Sequence, residues 1–378
     1  MPQLFQLLRD FPPGYGGVER VAHSLGQYFS GTTLSFCRPQ GTAAPLVDPL
    51  PVHYQRHVWP SVCLGRLRLP LATPSLLWRL FFGSDVLLLH LPCPTILLFG
   101  WFLHLLRPRR PLHLYWHAFL ESPSLVYRLY EWAAFGLCRR VALVITTSPV
   151  LRQCLLAKNI SSEVLFLLPP GLPLELESTL LCLPPPQASE TLNVACIGRL
   201  DSYKRIDWVI DAIASVPRSR LFVIGTGPKL ESLLAKTDKL GLLASGRVVF
   251  LGRLDERSKI HTISESHLLV LASDSCNEAF GIVQLEAMAA GRLAISFDLP
   301  QSGMAWVNGF KPISSMICDG QTGLVNTLAN LANDPLFLSS SSKAAQLRYV
   351  NLFSQHCWRS RCNELASRLQ LLALDPTL

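Results

Sequence analysis

Charge is the scarcest thing in this chain. Only 16% of its 378 residues are Asp, Glu, Lys or Arg, against 49% hydrophobic ones, and a polymer so poor in charge collapses rather than staying disordered. Acidic groups are the rarer sign, 26 against 34 Lys and Arg, leaving a net charge of +8. The shortage is local: residues 1 to 188 carry 9 acidic and 15 basic groups, nearly all of the latter arginine, whereas residues 189 to 378 carry 17 and 19. A basic first half suits nucleic acid, an anionic membrane or a phosphorylated substrate. No recognised nucleic-acid module and no aromatic-basic repeat is present, which argues against the first. The eleven cysteines include no Cys-x-x-Cys and no paired metal spacing, Cys357 and Cys362 being the nearest two. With no secretory leader at its start, the sequence reads as a cytoplasmic protein with reduced, mostly buried thiols and no metal.

What is present is strand alternating with helix. Residues 3 to 8 form a short apolar strand, followed by a loop containing Gly16 and Gly17 and a helix from Val18 to Phe29. Such a glycine pair lets a backbone approach a ligand closely, and the helix start behind it can face an anion, although an ordinary turn has the same composition. Asp85 to His90 and Leu112 to Trp116 read as further buried strands, with His90 and His117 at or just past their carboxyl ends. Histidines so placed serve packing more often than catalysis. Thr147-Ser148-Pro149 opens another helix. The apolar run from 86 to 106, closed by Arg107, Arg109 and Arg110, leaves three readings. It could span a membrane, lie on its surface with the arginines toward lipid phosphates, or cover the sheet.

The proline-rich stretch Leu183 to Glu190 reads as a linker, after which the alternation restarts. The expected domains are 1–186, 187–350 and a helical segment, 351–378, that packs back on the first. Two α/β arrays predict two Rossmann-like domains facing across a cleft, with ligands at the carboxyl ends of the strands. In the second array a loop holds Arg199 and Lys204, a fork and a compact charge suited to a diphosphate. Gly225-Thr226-Gly227, followed by Pro228 and lacking the last glycine of a dinucleotide fingerprint, is a poor candidate for NAD.

Residues 273 to 291 run from a polar turn into an apolar helical pattern that stops at Gly291. Glu278 and Glu286 are eight positions apart, about 12 Å along an ideal helix. That is too far for a shared proton but suits two grips on one extended ligand. Between them, the N–H groups of Phe280, Gly281 and Ile282 are candidates for a phosphate. The plainer alternative is a core helix with one capping and one exposed glutamate.

These motifs in this order resemble the retaining family 4 glycosyltransferases, which have the two-domain GT-B fold. The likeness rests on Gly198-Arg199-Leu200 with Lys204, on Gly225-Thr226-Gly227-Pro228, on Glu278 to Glu286, and on Asp319-Gly320-Gln321-Thr322-Gly323-Leu324. In the first half it rests on Gly16-Gly17-Val18-Glu19-Arg20, His90 to Pro94, Trp116-His117 and Thr147-Ser148-Pro149. The resemblance implies that Arg199 and Lys204 bind the donor's diphosphate, that Glu286 holds its ribose, and that Glu278 faces the moving sugar with Phe280 to Ile282 nearby. It further implies that Gly16 and Gly17 close over the diphosphate and that His117 sits beside the transferred sugar.

No metal or cofactor is then required. Domain closure excludes water, and the acceptor hydroxyl attacks on the face the nucleotide leaves. The stretch Asp298 to Val307 is similar to mannosyl- and rhamnosyltransferases of bacterial surface-polysaccharide assembly. It implies GDP-mannose, or alternatively a UDP-sugar, as donor, a glycan or lipid-linked glycan as acceptor, and a peripheral place on the cytoplasmic face of the membrane. Phe119 stands where an acidic residue is usual, and Pro170-Gly171 replaces an asparagine-glycine turn. A nucleotide-sugar 2-epimerase and a non-catalytic sugar-binding scaffold are the rival readings.

Overall fold

The computed structural model describes residues 2–12, 16–37, 52–64, 67–71, 73–83, 85–121, 124–186, 189–309 and 320–371. The chain forms two compact units, Met1–Gly171 with Trp358–Leu378, and Leu172–Cys357.

The first unit is built on seven strands: β1 (Leu4–Asp10), β2 (Thr32–Cys37), β3 (Gln55–Val58), β6 (Val86–Leu91), β7 (Leu112–Trp116), β8 (Leu143–Thr146) and β9 (Leu165–Leu167), with β4 (Ser61–Leu64) and β5 (Leu67–Pro70) forming a separate antiparallel hairpin. All neighbours in the sheet are parallel, in the order β3-β2-β1-β6-β7-β8-β9. A parallel sheet is covered on both faces, which is why β1, β6 and β7 are apolar runs with few polar interruptions. The helices between are α1 (Gly17–Phe29), α2 (Pro74–Phe82), α3 (Pro94–Leu106), α4 (Leu125–Cys138) and α5 (Pro149–Ala157). The Ser148 hydroxyl caps α5 by accepting from the N–H of Leu151 at 3.3 Å, with Pro149 at the first turn, as the sequence predicts. Chain order reverses between β1 and β6, and in open α/β sheets ligands bind beside the carboxyl ends of the strands at such a reversal.

The second unit repeats the plan with β10 (Leu192–Ile197), β11 (Ser219–Ile224), β12 (Val248–Gly252), β13 (Leu268–Leu271) and β14 (Leu293–Ser296), all parallel in the order β12-β11-β10-β13-β14. Its reversal lies between β10 and β13. Its helices are α6 (Leu174–Leu181), α7 (Ile206–Ser215), α8 (Leu230–Lys239), α9 (Glu256–Glu265), α10 (Ile282–Ala289), α11 (Met304–Asn308), α12 (Gly320–Asn333) and α13 (Pro335–Leu352), with α14 (Gln355–Leu369) crossing from this unit into the first.

The units divide at Gly171, fifteen residues before the boundary expected from the proline run. The reason is packing: Leu172 and Leu180 join the second core, and Glu177 on α6 accepts from the Tyr349 hydroxyl and the Gln355 N–H, each at 2.7 Å. The helical segment expected from 351 onward holds the end of α13 and the whole of α14. Phe353 and Ser354 both turn their N–H groups back onto the Tyr349 carbonyl, which ends α13. No helix among the described residues is long and apolar enough to cross a membrane; α3 has 13 residues, against the roughly 20 a span needs.

Candidate functional site

In the second unit the loops leaving β10 and β13 are stitched together. The Asp274 N–H donates to the Tyr203 carbonyl at 3.0 Å, Lys204 Nζ donates to Glu278 Oε2, and Arg205 pairs with Asp274 at 3.4 Å. Two of the residues singled out from the sequence, Lys204 and Glu278, are thus brought into direct contact. Burial works against the Lys204 ammonium, yet Glu278, with Tyr203 and Asp201, raises its pKa above the ordinary lysine value. Arg199 leaves the same loop but lies in solvent, its side chain 71% exposed and tethered only to Asp201 at 3.2 Å among the described residues. Arg205 was not singled out. It holds a left-handed backbone (φ 46°) that costs a non-glycine residue about 1–2 kcal/mol. Its contacts with Asp207 and Asp274, and its guanidinium 4.0 Å from the Trp208 ring centroid, offset that cost.

Glu278 is not on a helix. The α10 helix begins only at Ile282, after Gly281 in the left-handed region (φ 73°), so the 12 Å ideal-helix spacing to Glu286 does not apply. The N–H groups of Phe280, Gly281 and Ile282 have no acceptor among the described residues, which leaves them open to a ligand. The turn carrying them is braced from below. Ser302 Oγ donates to the Glu278 carbonyl at 2.6 Å, the Gly303 N–H to Ala279 at 2.7 Å, and Gln284 Nε2 to Phe280 at 2.9 Å.

Glu286 is wholly buried, contrary to the alternative that left it exposed. Its carboxylate lies 2.8 Å from Lys259 on α9, whose ammonium also meets Glu256 at 2.7 Å. Sequence reasoning missed Lys259, because Glu256 and Lys259 look like an ordinary exposed pair three residues apart on a helix. Gly225 and Gly227 have a backbone role: a Cβ on either would strike the backbone of Gly198 or Leu200, and the Leu200 N–H donates to Thr226 at 3.0 Å. They let the loops after β10 and β11 touch.

In the first unit Gly16 is the N-cap of α1 and Gly17 its first residue. A side chain on Gly16 would collide with the Glu19 carboxylate, which folds back over it. Glu19, buried, has its pKa raised by that burial and further by the charge of Asp10 at the end of β1. No sequence signal marks this carboxyl pair beyond the quoted glycine motif.

His117 follows β7 and is buried, with its Nε2 2.8 Å from Nδ1 of His90. His90 Nε2 in turn lies 3.0 Å from Gln6 Oε1 on β1, and the Tyr115 ring stacks on His117 at 4.2 Å. Burial lowers the His90 pKa to about 3; burial and then His90 hold His117 well below the usual imidazole range. Both shifts favour the neutral form of the rings. Phe119, in the position where an acid is usual, is an aromatic core residue packed between Trp116 and Phe135. Asp319 lies outside the described residues.

Residues 15–176 match the Glycosyltransferase Family 4 family and residues 185–327 the Glycosyl transferases group 1 family. The D-rhamnosyltransferase WbpZ of Pseudomonas aeruginosa is 28% identical over 168 residues, 42% of this chain and 40% of WbpZ. A glycogen synthase of Mycobacterium tuberculosis is 30% identical over 164 residues, 42% of this chain and 38% of the synthase. The chain thus spans about two fifths of the length of these curated relatives. The crystal structure of HepE from Anabaena in complex with UDP-glucose superposes with a TM-score of 0.75 at 20% identity, covering 97% of this chain and all of that one. That likeness establishes the fold, two Rossmann-like units of the GT-B class.

Proposed function

We propose that this chain, which belongs to the group 1 and family 4 glycosyltransferases, moves a hexose from a nucleotide-diphosphate sugar to a glycan or lipid-linked glycan with retention of configuration. The observation that carries the reading is the Lys204–Glu278 pair at the β10–β13 reversal, set beside open N–H groups at the start of α10. Cation and N–H donors together suit the charge that grows on a departing diphosphate. Lys204 and Arg199 bind that diphosphate, and Glu278, keeping one oxygen on Lys204, accepts from a hydroxyl of the moving sugar. The acceptor hydroxyl attacks C1 as the C1–O bond to phosphate breaks, and its proton passes to a leaving phosphate oxygen. Glu286 takes the ribose hydroxyls, for which its carboxylate has to share or exchange Lys259. Gly16 and Gly17 approach the diphosphate, and His117 the sugar.

GDP-mannose is the donor we favour, from the Asp298 to Val307 stretch. A UDP-sugar is the second reading, favoured by the UDP-glucose held by HepE. Binding and slow hydrolysis of a panel of nucleotide sugars tests both, and failure to bind any of them sinks the transferase reading.

The acceptor side is read as peripheral on an anionic membrane. Trp78 and Phe82 on α2, Phe102 and Leu105 on α3, and Leu129 and Trp132 on α4 are exposed apolar side chains. Arg107 stands over the Phe82 ring at 4.9 Å, while Trp101 Nε1 donates to Ala133 at 3.0 Å and ties α3 to α4. Co-sedimentation with phosphatidylglycerol vesicles, lost in Phe102→Ser with Trp132→Ser, is the expected result; equal binding by the variant refutes membrane contact there.

A further inference from the structure

Strand register sets up a line of polar side chains in the first sheet. Gln6 pairs with Thr33 on one side and Leu88 on the other, and His90 pairs with Tyr115. Because side chains alternate faces with a period of two, Gln6, Thr33, His90, Tyr115 and His117 share one face. Each step of the line fixes the next. The Gln6 amide has its NH2 end aimed at two acceptors, the Ala22 carbonyl on α1 at 3.0 Å and Thr33 Oγ1 at 3.2 Å. Only a donor can serve a carbonyl, so the amide cannot be reversed and Oε1 must be the atom facing His90 Nε2 at 3.0 Å.

A carbonyl oxygen accepts, so that nitrogen carries the hydrogen. A neutral imidazole has one donor and one acceptor nitrogen, and no carboxylate bonds either ring among the described residues. His90 Nδ1 is therefore a bare lone pair, and at 2.8 Å it has to receive a hydrogen from His117 Nε2. The far nitrogen of His117, Nδ1, is left unprotonated, with no donor among the described residues.

We infer that Gln6 and His90 are positioning residues that lock His117 in its Nε2–H tautomer, so that Nδ1 presents a fixed acceptor to a hydroxyl of the substrate. A histidine held this way cannot donate to a phosphate or carboxylate; it selects a neutral O–H. Naming that hydroxyl as one of the sugar's rests on the transferase reading above, whereas the tautomer does not. The stack of Tyr115 on His117, with the Tyr115 hydroxyl anchored on the Leu168 carbonyl at 2.6 Å, holds the ring plane.

Long-range 1H–15N correlation spectra of the full chain with 15N-labelled histidine, assigned through His117→Gln and His90→Asn, test the tautomer directly. The expected result at neutral pH is a pyrrole-type Nε2 and a pyridine-type Nδ1 for both rings. A protonated Nδ1 on His117 in the wild type overturns the inference whatever the variants do. Gln6→Leu removes the acceptor that sets the order and should give His117 a mixture of tautomers. A pure Nε2–H signal in Gln6→Leu shows that the relay does not set the tautomer.

In turnover of the nucleotide sugar found by the panel, Gln6→Leu should lower kcat about tenfold, the effect of one misdirected hydrogen bond. Unchanged kcat in Gln6→Leu with a mixed tautomer also overturns the role. If the spectra agree while no nucleotide sugar binds, the relay stands and the transferase reading falls.

Discussion

Lys204→Ala and Arg199→Ala separate two cations that look equivalent in the sequence. The Lys204 side chain is 12% exposed, the Arg199 side chain 71%. A charge-assisted hydrogen bond from a nearly enclosed ammonium to a phosphate oxygen contributes about 1.5–3 kcal/mol. At about 1.4 kcal/mol per factor of ten, its loss weakens nucleoside-diphosphate binding by about 10- to 150-fold. An ion pair formed by a guanidinium in open water contributes about 0–1 kcal/mol, so Arg199→Ala should cost no more than about fivefold.

Glu278 pushes the Lys204 figure toward its upper end. With the ammonium gone, the carboxylate that lay against it is left near the incoming phosphates with no cation between them. Lys204→Ala combined with Glu278→Gln removes that repulsion and should bind GDP or UDP more tightly than Lys204→Ala alone. Isothermal titration with GDP and UDP reads all three variants. Repeating it at roughly 0.05 and 0.5 M salt adds a check, because screening reaches the exposed arginine first. The reasoning is refuted if Arg199→Ala weakens binding more than Lys204→Ala, or if the double variant binds more weakly than the single.

Three further outcomes follow from the same geometry. Lys259→Met takes the ammonium from a wholly buried carboxylate and should cost about 3–5 kcal/mol, whereas Glu286→Gln leaves Lys259 its Glu256 partner and should cost about 1 kcal/mol; urea denaturation of the two reads the order. Gly225→Ala places a Cβ on the Gly198 carbonyl at a φ of 140° and should lose at least about 2 kcal/mol by the same measurement. His90 has a folded-state pKa of about 3, below its ordinary 6.5, so its contribution is present above pH 6.5 and lost as pH falls toward 3. His90's share of that loss should be about 1.4 kcal/mol per pH unit across that window, and His90→Asn should reduce the slope in thermal melts.

Much of this was legible from pattern. Apolar runs bounded by glycine and proline give the two parallel sheets, and Thr147-Ser148-Pro149 locates a helix start because a hydroxyl cap and a first-turn proline act locally. Lys204 reads as a residue of a loop leaving a strand and Glu278 as one end of a helical pattern; their contact depends on β10 and β13 being neighbours, which is a matter of topology. What stayed hidden was set by register and tertiary burial. Gln6 sits in an apolar run and looks like a tolerated polar residue until the pairing of three strands lines it up with His90 and His117. Lys259 reads as a surface lysine until the α9 helix buries its ammonium against Glu286. The proline run misplaced the unit boundary because stiffness marks a chain that is extended, while a boundary lies where packing changes partner, here at Leu172.

The two reversals in strand order carry different chemistry, and the difference bears on what each is suited to hold. At the β10–β13 reversal the groups on offer are a raised-pKa ammonium, a solvent-facing guanidinium and open N–H donors, a set matched to negative charge. At the β1–β6 reversal burial opposes charge: it lowers the pKa of His90 and His117 below the usual imidazole range and raises that of Glu19, to which Asp10 adds.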